Sequence, residues 1–412
     1  MIIKPKGCYD LSKFDAKIYL NIEQIVHSYM NVYNYKYIRT PVFENSELFK
    51  RGVGETTDIV QKETYDFTDR SGRSLTLRPE GTASVVRSYI ENKDYADIRP
   101  ISKYYYIGTM YRYERPGQGR NREFTQFGVE ALGSDDPLID AEIISLSVNI
   151  LKELGLDPVV KINNLGGKED RENYKKALVK YLKPHINDFC SDCQKRIKTN
   201  PLRILDCKID DKNEILKKAP NVLDYQSKES QARFKDVLQY LDYLDVDYEI
   251  DSNLVRGLDY YDYMVYELQV DNGLALGGGG RYNNLVKTLD GPDTPAVGFA
   301  CGIERIINLI KEKAKDFSNI DVFIMAINKE EKMKANIIMQ DLRLNGISVE
   351  TDYLNKGLKS QFKDADKYNA KNLIILNSED LKKGLINVKD NITKEEVKVP
   401  EDEIVDYILG II

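Results

Sequence analysis

Two aromatic-rich runs of alternating character, YYYIGTMYRYE (104–114) and FTQFGVEAL (124–132), flank a loop that holds Pro116, Gly117 and Gly119. Period-two alternation on both sides of such a loop predicts a long antiparallel hairpin, and few local patterns restrict a fold more. Arg112, Arg115, Arg120 and Arg122 sit on or beside the loop and give the hairpin a cationic tip. On the second strand Gln126, Gly128 and Glu130 share one face, and the glycine is expected to leave room for a ligand between two polar side chains. Guanidinium forks suit phosphate oxygens, and a hydrogen-bonding pair beside them suits a small polar substrate. A solvated basic hairpin is the plainer reading of the same residues.

Around this hairpin the chain reads as an α+β arrangement. Residues 13–34 carry apolar positions at helical spacing and predict an amphipathic helix. YKYIRTPVFENSELFKR predicts a strand closed by Pro41 and then a helical turn. Residues 62–78 predict a strand–turn–strand with Ser71-Gly72 at the turn. Glu80-Gly81-Thr82 opens a helix, and LIDAEIISLSVNILKEL follows the hairpin as another. Between about 165 and 245 the character becomes Lys/Asp-rich and helical, which reads as an insertion. Strand patterns resume at 248 and lead through TPAVGFACGIERIINLIKEK into a helix. Beyond the charged linker KEKAKDFSN (311–319), short β and α patterns alternate to the end and predict a separate α/β domain.

At 412 residues the chain is long enough for two or three domains, each with its own core. No apolar run approaches the roughly 20 residues that span a bilayer. The start, MIIKPKGCYD, lacks the apolar core of a secretion signal, so a cytoplasmic protein with no membrane partner is expected. The net charge of −6 does not advertise a nucleic-acid binder; a polyanion would have to be met by local basic patches such as the hairpin tip. Five widely spaced cysteines suit a reducing compartment. Cys190 and Cys193 form the one CxxC, and with His185 and Cys207 they offer a tetrahedral option. Without a second CxxC or a paired histidine, incidental thiols are expected and no metal ligand is assigned. His27 lies in a periodic helical segment and reads as structural, so a mechanism built on a histidine base is poorly supplied.

Four further segments carry chemistry. LRPEGT (77–82) places Arg78, Glu80 and Thr82 at a strand-to-helix junction, where the carboxylate and the hydroxyl serve either as acceptors for an ammonium group or as a helix N-terminal signal. LVRGLDYYDYMVYE (254–267) joins Arg256 to Tyr260 and Tyr261; the arginine suits a phosphate and the tyrosines suit a planar group. ALGGGGRYNNL (275–285) sets four glycines before Arg281 and Tyr282, for a close ligand or for tight turns. It is neither GxGxxG nor a Walker loop. PAVGFACGIERI (295–306) places Glu304 and Arg305 in a helix, as a solvated ion pair or as an arginine over a nucleotide.

In order and spacing these segments resemble the class II aminoacyl-tRNA synthetases. TPVFENSELFKRGVGETTDIVQKETYDF resembles motif 1. LTLRPEGTA and YIGTMYRYERPGQGRNREFTQFGVE resemble the motif 2 region, and PAVGFACGIERI resembles motif 3. LVRGLDYY and GGGGRYNNL resemble the histidine-specific signatures, and NPLRILDCK (200–208) resembles a segment of the family's insertion. The likeness to the histidyl-tRNA synthetase family runs end to end. Departures are small: Asn283-Asn284 stand where the family often has Asp-Gly, Cys301 lies in the motif 3 strand, and KGCYD is a loose version of the family's start.

The resemblance implies a class II synthetase-like antiparallel sheet flanked by helices, over 1–164 and 246–318. A helical insertion would occupy 165–245, and a C-terminal anticodon-binding domain 320–412. It implies ATP with Mg²⁺, L-histidine and tRNA(His) as substrates and partners, a homodimer through motif 1, and no DNA. By the same likeness Glu80, Thr82 and Gln126 would hold the histidine ammonium, while Glu130 and Tyr261 would contact the imidazole. Tyr260 and Tyr282 would shape the pocket. Arg112 and Arg256 would be catalytic at the carboxylate and α-phosphate, and Arg120 and Arg305 would bind ATP. The loop Arg115–Arg122 would reach the acceptor stem. A histidine-sensing regulatory subunit of ATP phosphoribosyltransferase is the alternative; it would show degraded signatures and no anticodon-binding domain.

Overall fold

The hairpin forms over Ser102–Tyr111 and Glu123–Leu132, paired antiparallel from Ser102 opposite Leu132 to Tyr111 opposite Glu123. The structure is a computed structural model describing residues 1–117, 119–210, 212–270, 273–313 and 319–412. Gln118 of the hairpin tip and most of the expected linker at 311–319 lie outside the described residues. The chain divides into two units, Met1–Ala314 and Lys315–Ile412.

In chain order the strands of the first unit are β1 (Lys36–Tyr37), β2 (Phe43–Asn45), β3 (Tyr65–Thr68), β4 (Ser74–Leu77), the hairpin strands β5 and β6, β7 (Val159–Asn164), β8 (Tyr248–Ile250), β9 (Asp262–Val270), β10 (Leu274–Arg281) and β11 (Ala296–Gly302). One eight-stranded sheet runs β1-β5-β6-β11-β10-β9-β7-β8. Its six central strands are mutually antiparallel, and β1 and β8 add in parallel at the edges. A small antiparallel sheet, β2-β4-β3, stands beside it. The expected end at Pro41 is placed differently: β2 begins after the proline and runs into the helical turn Ser46–Phe49.

Helix Lys13–Val32 buries Ile18, Ile22, Val26 and Met30, a four-residue spacing that makes one apolar stripe. Helix Pro137–Glu153 begins with a proline in its first turn and the Asp136 carboxylate accepting from Leu138 N–H, and then buries nearly every apolar residue. Both helices and the sheet share one core. Helix Lys228–Tyr243, grouped with the insertion on its charge, also gives that core Phe234, Val237 and Leu241. Most of its charged residues face outward, while Arg233 turns in to reach the buried Asp140 at 3.2 Å. The insertion's own core is smaller, built from Tyr174, Leu178, Leu182, Phe189 and Ile204.

The glycines of β10 serve the sheet more than a ligand. A Cβ on Gly279 would lie 1.9 Å from the Gly298 carbonyl, and one on Gly277 would lie 2.3 Å from the Cys301 sulfur. Arg281 is likewise structural: fully buried, its Nε lies 2.8 Å from the equally buried Asp140, and the guanidinium donates to the Ser134 and Asp136 carbonyls. Arg281→Leu is therefore expected to destabilise the protein by about 3 kcal/mol, because it leaves the buried Asp140 carboxylate to Arg233 alone and two carbonyls without their donor. Chemical denaturation checks this.

The second unit has a five-stranded sheet of its own. Its strands are β12 (Val322–Met325), β13 (Val349–Thr351), β14 (Asn372–Ile375), β15 (Leu385–Asp390) and β16 (Glu396–Pro400), in the order β13-β12-β14-β15-β16. β12 is parallel to both neighbours, and β15 is antiparallel to both of its own. Asn328 and Glu331 close a reciprocal capping box at the start of helix Lys329–Leu344.

Candidate active site

A cavity of about 210 Å³ opens in the first unit, and a larger one of about 690 Å³ continues from it. The inner cavity is lined by Glu80, Thr82, Arg112, Arg120, Gln126, Arg256, Tyr260, Tyr261 and Arg305, which the sequence had scattered over more than two hundred positions. Glu130 and Tyr282 do not line it; they form the layer behind.

At the inner end the polar groups are poised and incompletely used. Both Glu80 carboxylate oxygens accept from the first N–H groups of helix Thr82–Glu91, at 2.8 Å each from Thr82 and Ala83. Helix signal and cavity wall are thus the same side chain. Burial pushes the Glu80 carboxyl pKa up, against the pull of those N–H groups. Gln126 Oε1 and the Tyr106 hydroxyl are buried with no hydrogen-bond partner among the described residues. Buried polar atoms are seldom left so, and here they point to a ligand carrying donors.

Tyr106 was not singled out in the sequence. It faces Gly128 across the β5–β6 register, and a Cβ on Gly128 would lie 2.5 Å from its hydroxyl. The space expected at Gly128 for a ligand is filled by this phenol. Gly81 borders the ring from the other side, where a Cβ would come within 2.3 Å.

Behind the wall, the Thr82 hydroxyl donates to Glu130 at 2.7 Å, and the Tyr282 hydroxyl donates to the other carboxylate oxygen. Gly298, paired opposite on β11, makes room: a Cβ there would lie 1.9 Å from that oxygen. Glu130 is fully buried, and burial pushes its pKa up to about 8 despite the two hydroxyls. Tyr260 stacks obliquely on Tyr261 at 4.7 Å and donates weakly to Glu80 at 3.4 Å. Burial also raises Tyr261, to about 12, so its hydroxyl stays a donor.

The outer end is cationic. Arg112, Arg120, Arg256 and Arg305 line both cavities. Arg112 Nε donates to the Pro79 carbonyl at 2.8 Å, and its guanidinium lies over the Phe124 ring. Arg256 pairs with Glu267 at 2.8 Å, while its Nε is buried and unpartnered among the described residues. Arg305 donates to the Gly119 and Ala275 carbonyls, and its neighbour Glu304 turns away to accept from Tyr9 and the Thr125 N–H. The Glu304–Arg305 ion pair does not form. Of the hairpin-tip arginines, Arg122 folds over the Tyr113 ring and Arg115 is exposed.

The loop that carries Arg256, Tyr260 and Tyr261 is held from outside. Arg203 of the insertion donates to the Arg256 carbonyl at 3.3 Å, and Asn200 and Thr56 both donate to Asp259 at 2.7 Å. Arg196 and Arg203 also meet Asp58.

An antiparallel sheet bearing this cavity, with arginines from motif 2-like and motif 3-like segments at its mouth, is the architecture of a class II aminoacyl-tRNA synthetase. The family profile described as Histidyl-tRNA synthetase matches residues 7–306, and one described as Anticodon binding domain matches residues 321–411. The chain is 48% identical to the Histidine--tRNA ligase of Bacillus cytotoxicus, with 98% of each chain covered. It is also 48% identical to that of Bacillus subtilis, with 97% of each covered. The solved apo histidyl-tRNA synthetase of S. aureus superposes with a TM-score of 0.83 at 40% identity, covering 99% of this chain and 100% of that one. This chain belongs to the histidyl-tRNA synthetase family.

Proposed function

We propose that the protein activates L-histidine with ATP to give histidyl-adenylate and pyrophosphate, then transfers histidine to tRNA(His). The observation that carries this reading is the two-ended cavity. Unpartnered Gln126 and Tyr106 acceptors beside Glu80 suit an amino-acid ammonium at one end, and four arginines suit a triphosphate at the other. Glu80, Thr82 and Gln126 take the ammonium. Tyr261 meets the imidazole directly, with Glu130 setting the hydrogen bonding behind it, and Tyr260 and Tyr282 fix the shape.

In the first step a histidine carboxylate oxygen attacks the α-phosphorus, the bond to the bridging oxygen breaks, and pyrophosphate leaves with the electron pair. The nucleophile is already ionised, so alignment and charge stabilisation are what the protein supplies, and no histidine base is needed. Arg112 bridges carboxylate and α-phosphate, Arg256 faces the α-phosphate, and Arg120 and Arg305 hold the rest of ATP. Mg²⁺ accompanies ATP as its counter-ion; Glu114 and Glu267 are the cavity carboxylates that suit it. The ribose hydroxyl of tRNA then attacks the activated carbonyl and releases AMP. ATP–pyrophosphate exchange tested with each standard amino acid decides: exchange with histidine alone is expected. The regulatory alternative predicts no exchange with any, and the full arginine set and the 321–411 match make it the less supported reading.

The domain assignment follows the same reading: residues 1–164 and 246–318 carry the chemistry, 165–245 form the insertion, and 320–412 read the anticodon. Removing residues from about 320 onward is expected to spare adenylate formation and to depress transfer to tRNA far more. Equal loss of both activities in a folded truncate would refute that division. A homodimer is proposed through the motif 1 region, where Phe43 and Phe67 form an exposed aromatic pair 6.0 Å apart. Sedimentation checks it, and the truncate needs the same check. No helix of the described residues is long and apolar enough to cross a membrane, and a cytoplasmic location is proposed.

A further inference from the structure

The insertion brings together a set of groups that the chemistry of activation does not use. Cys190 stands at the N-cap of helix Ser191–Thr199 and Cys193 lies in its first turn, so helical geometry turns both sulfurs to one side. Cys207 and Asp210 come from the turn after NPLRIL and repeat the same two-residue gap. The ligand atoms of all four residues lie within 4.8 Å of one another, the one such group among the described residues. Cys190 and Cys207 sulfurs are 3.6 Å apart, and the Cys207 sulfur is 3.4 Å from an Asp210 oxygen. Sulfurs about 2.3 Å from a tetrahedral ion would be about 3.8 Å apart. His185, the fourth ligand considered on sequence grounds, is not in the group.

We propose that Cys190, Cys193, Cys207 and Asp210 bind one zinc ion as a closed structural site. Three sulfurs and one carboxylate favour zinc over the oxygen-seeking cations, and four protein ligands leave no open position for catalysis. Each thiol gives its proton to solvent as its Zn–S bond forms. The surroundings suit burial of such a site: Cys193, Cys207 and Asp210 are buried, and Phe189, Ile204 and Leu216 pack around the cysteines. Asp210 accepts from the Cys190 N–H at 3.2 Å and from the Cys207 thiol at 3.4 Å, which holds a buried carboxylate against the sulfurs, and buried charges are paired or coordinate metals. A Cys190–Cys207 disulfide would leave the third sulfur without a role. The ion would pin the segment from Phe189 to Asp210, the same segment whose Arg196 and Arg203 reach Asp58 and the Arg256 carbonyl.

The test uses the full-length protein, purified under reducing conditions without chelator, with zinc measured by inductively coupled plasma mass spectrometry. One zinc per chain is expected, released when the thiols are titrated with a mercurial. Cobalt substituted for zinc should show thiolate-to-cobalt charge transfer and the visible bands of a tetrahedral site. Cys193→Ser and Cys207→Ser should lower zinc retention by about tenfold or more at equal free zinc, while His185→Ala should keep it. Because a cysteine variant risks misfolding, Asp210→Cys is the second arm; it keeps a four-ligand set with a fourth sulfur in place of the carboxylate and should retain both zinc and native circular dichroism. Wild-type protein that takes up no zinc or cobalt after reconstitution would overturn the proposal. So would zinc content unchanged in both cysteine variants, or a Cys190–Cys207 disulfide found by mass spectrometry in place of metal.

Discussion

Arg256→Ala is expected to slow adenylate formation by about 10²–10³-fold, roughly 3–4 kcal/mol, with far smaller changes in the binding of histidine or ATP. The guanidinium is preorganised: Glu267 holds one nitrogen at 2.8 Å, and Gly278, which has no Cβ, lets that nitrogen sit against β10. Burial works against the charge, but Tyr261, Glu267 and Tyr260 outweigh it and hold the pKa above the usual arginine value. The unpartnered Nε marks where further charge can be met. Arg256→Lys keeps the charge and loses the planar fork, so it should lower the rate more than it weakens binding. Pre-steady-state measurement of adenylate formation separates these terms. Near wild-type turnover by Arg256→Ala would make this arginine structural and leave the α-phosphate to Arg112.

Glu130→Gln should weaken histidine activation by about ten- to a hundredfold while ATP binding stays nearly intact, through a mismatched buried hydrogen bond costing about 1–3 kcal/mol. The pH dependence distinguishes this from damage to the fold. Folded Glu130 keeps its proton up to about pH 8, against a reference value of 4.5. Between those values the folded state holds the extra proton, so the Glu130 contribution to stability falls as pH rises. An amide does not ionise and so removes that slope. The variant's stability should therefore vary less with pH than that of wild type between those values, as denaturation midpoints across that range would show. Unchanged histidine affinity in a folded Glu130→Gln protein would sink the assignment.

The hairpin was legible because alternation on both sides of a glycine loop has one sheet solution, and the helix from residue 13 because its apolar stripe repeats cleanly. Tyr106 was hidden by its neighbours. In Tyr104-Tyr105-Tyr106 the residue type is constant while the faces alternate, so composition cannot say which ring faces a cavity. Gly128 misled for a related reason: a missing Cβ makes room, but sequence does not say whether ligand or protein fills it. Glu304 and Arg305 looked like a pair because they adjoin, yet successive helical positions diverge by about 100°. The insertion's boundary blurred at helix Lys228–Tyr243 because abundant surface charge masked an inward stripe. Asp210 escaped notice because a lone aspartate after a cysteine has no distinctive spacing until the turn folds.

The loop bearing Arg256 is secured by Thr56 from one region of the chain and by Asn200 and Arg203 from another, through Asp259 and the Arg256 carbonyl. LVRGLDYY is therefore not a portable cassette. Grafted onto a foreign scaffold it would bring its side chains without the anchors that orient them, and a lineage that trimmed the insertion would have to rebuild those anchors elsewhere. Drift at position 200, outside the cavity lining, and at position 203, on the wall of the outer cavity, is accordingly constrained by the same chemistry as drift at 256.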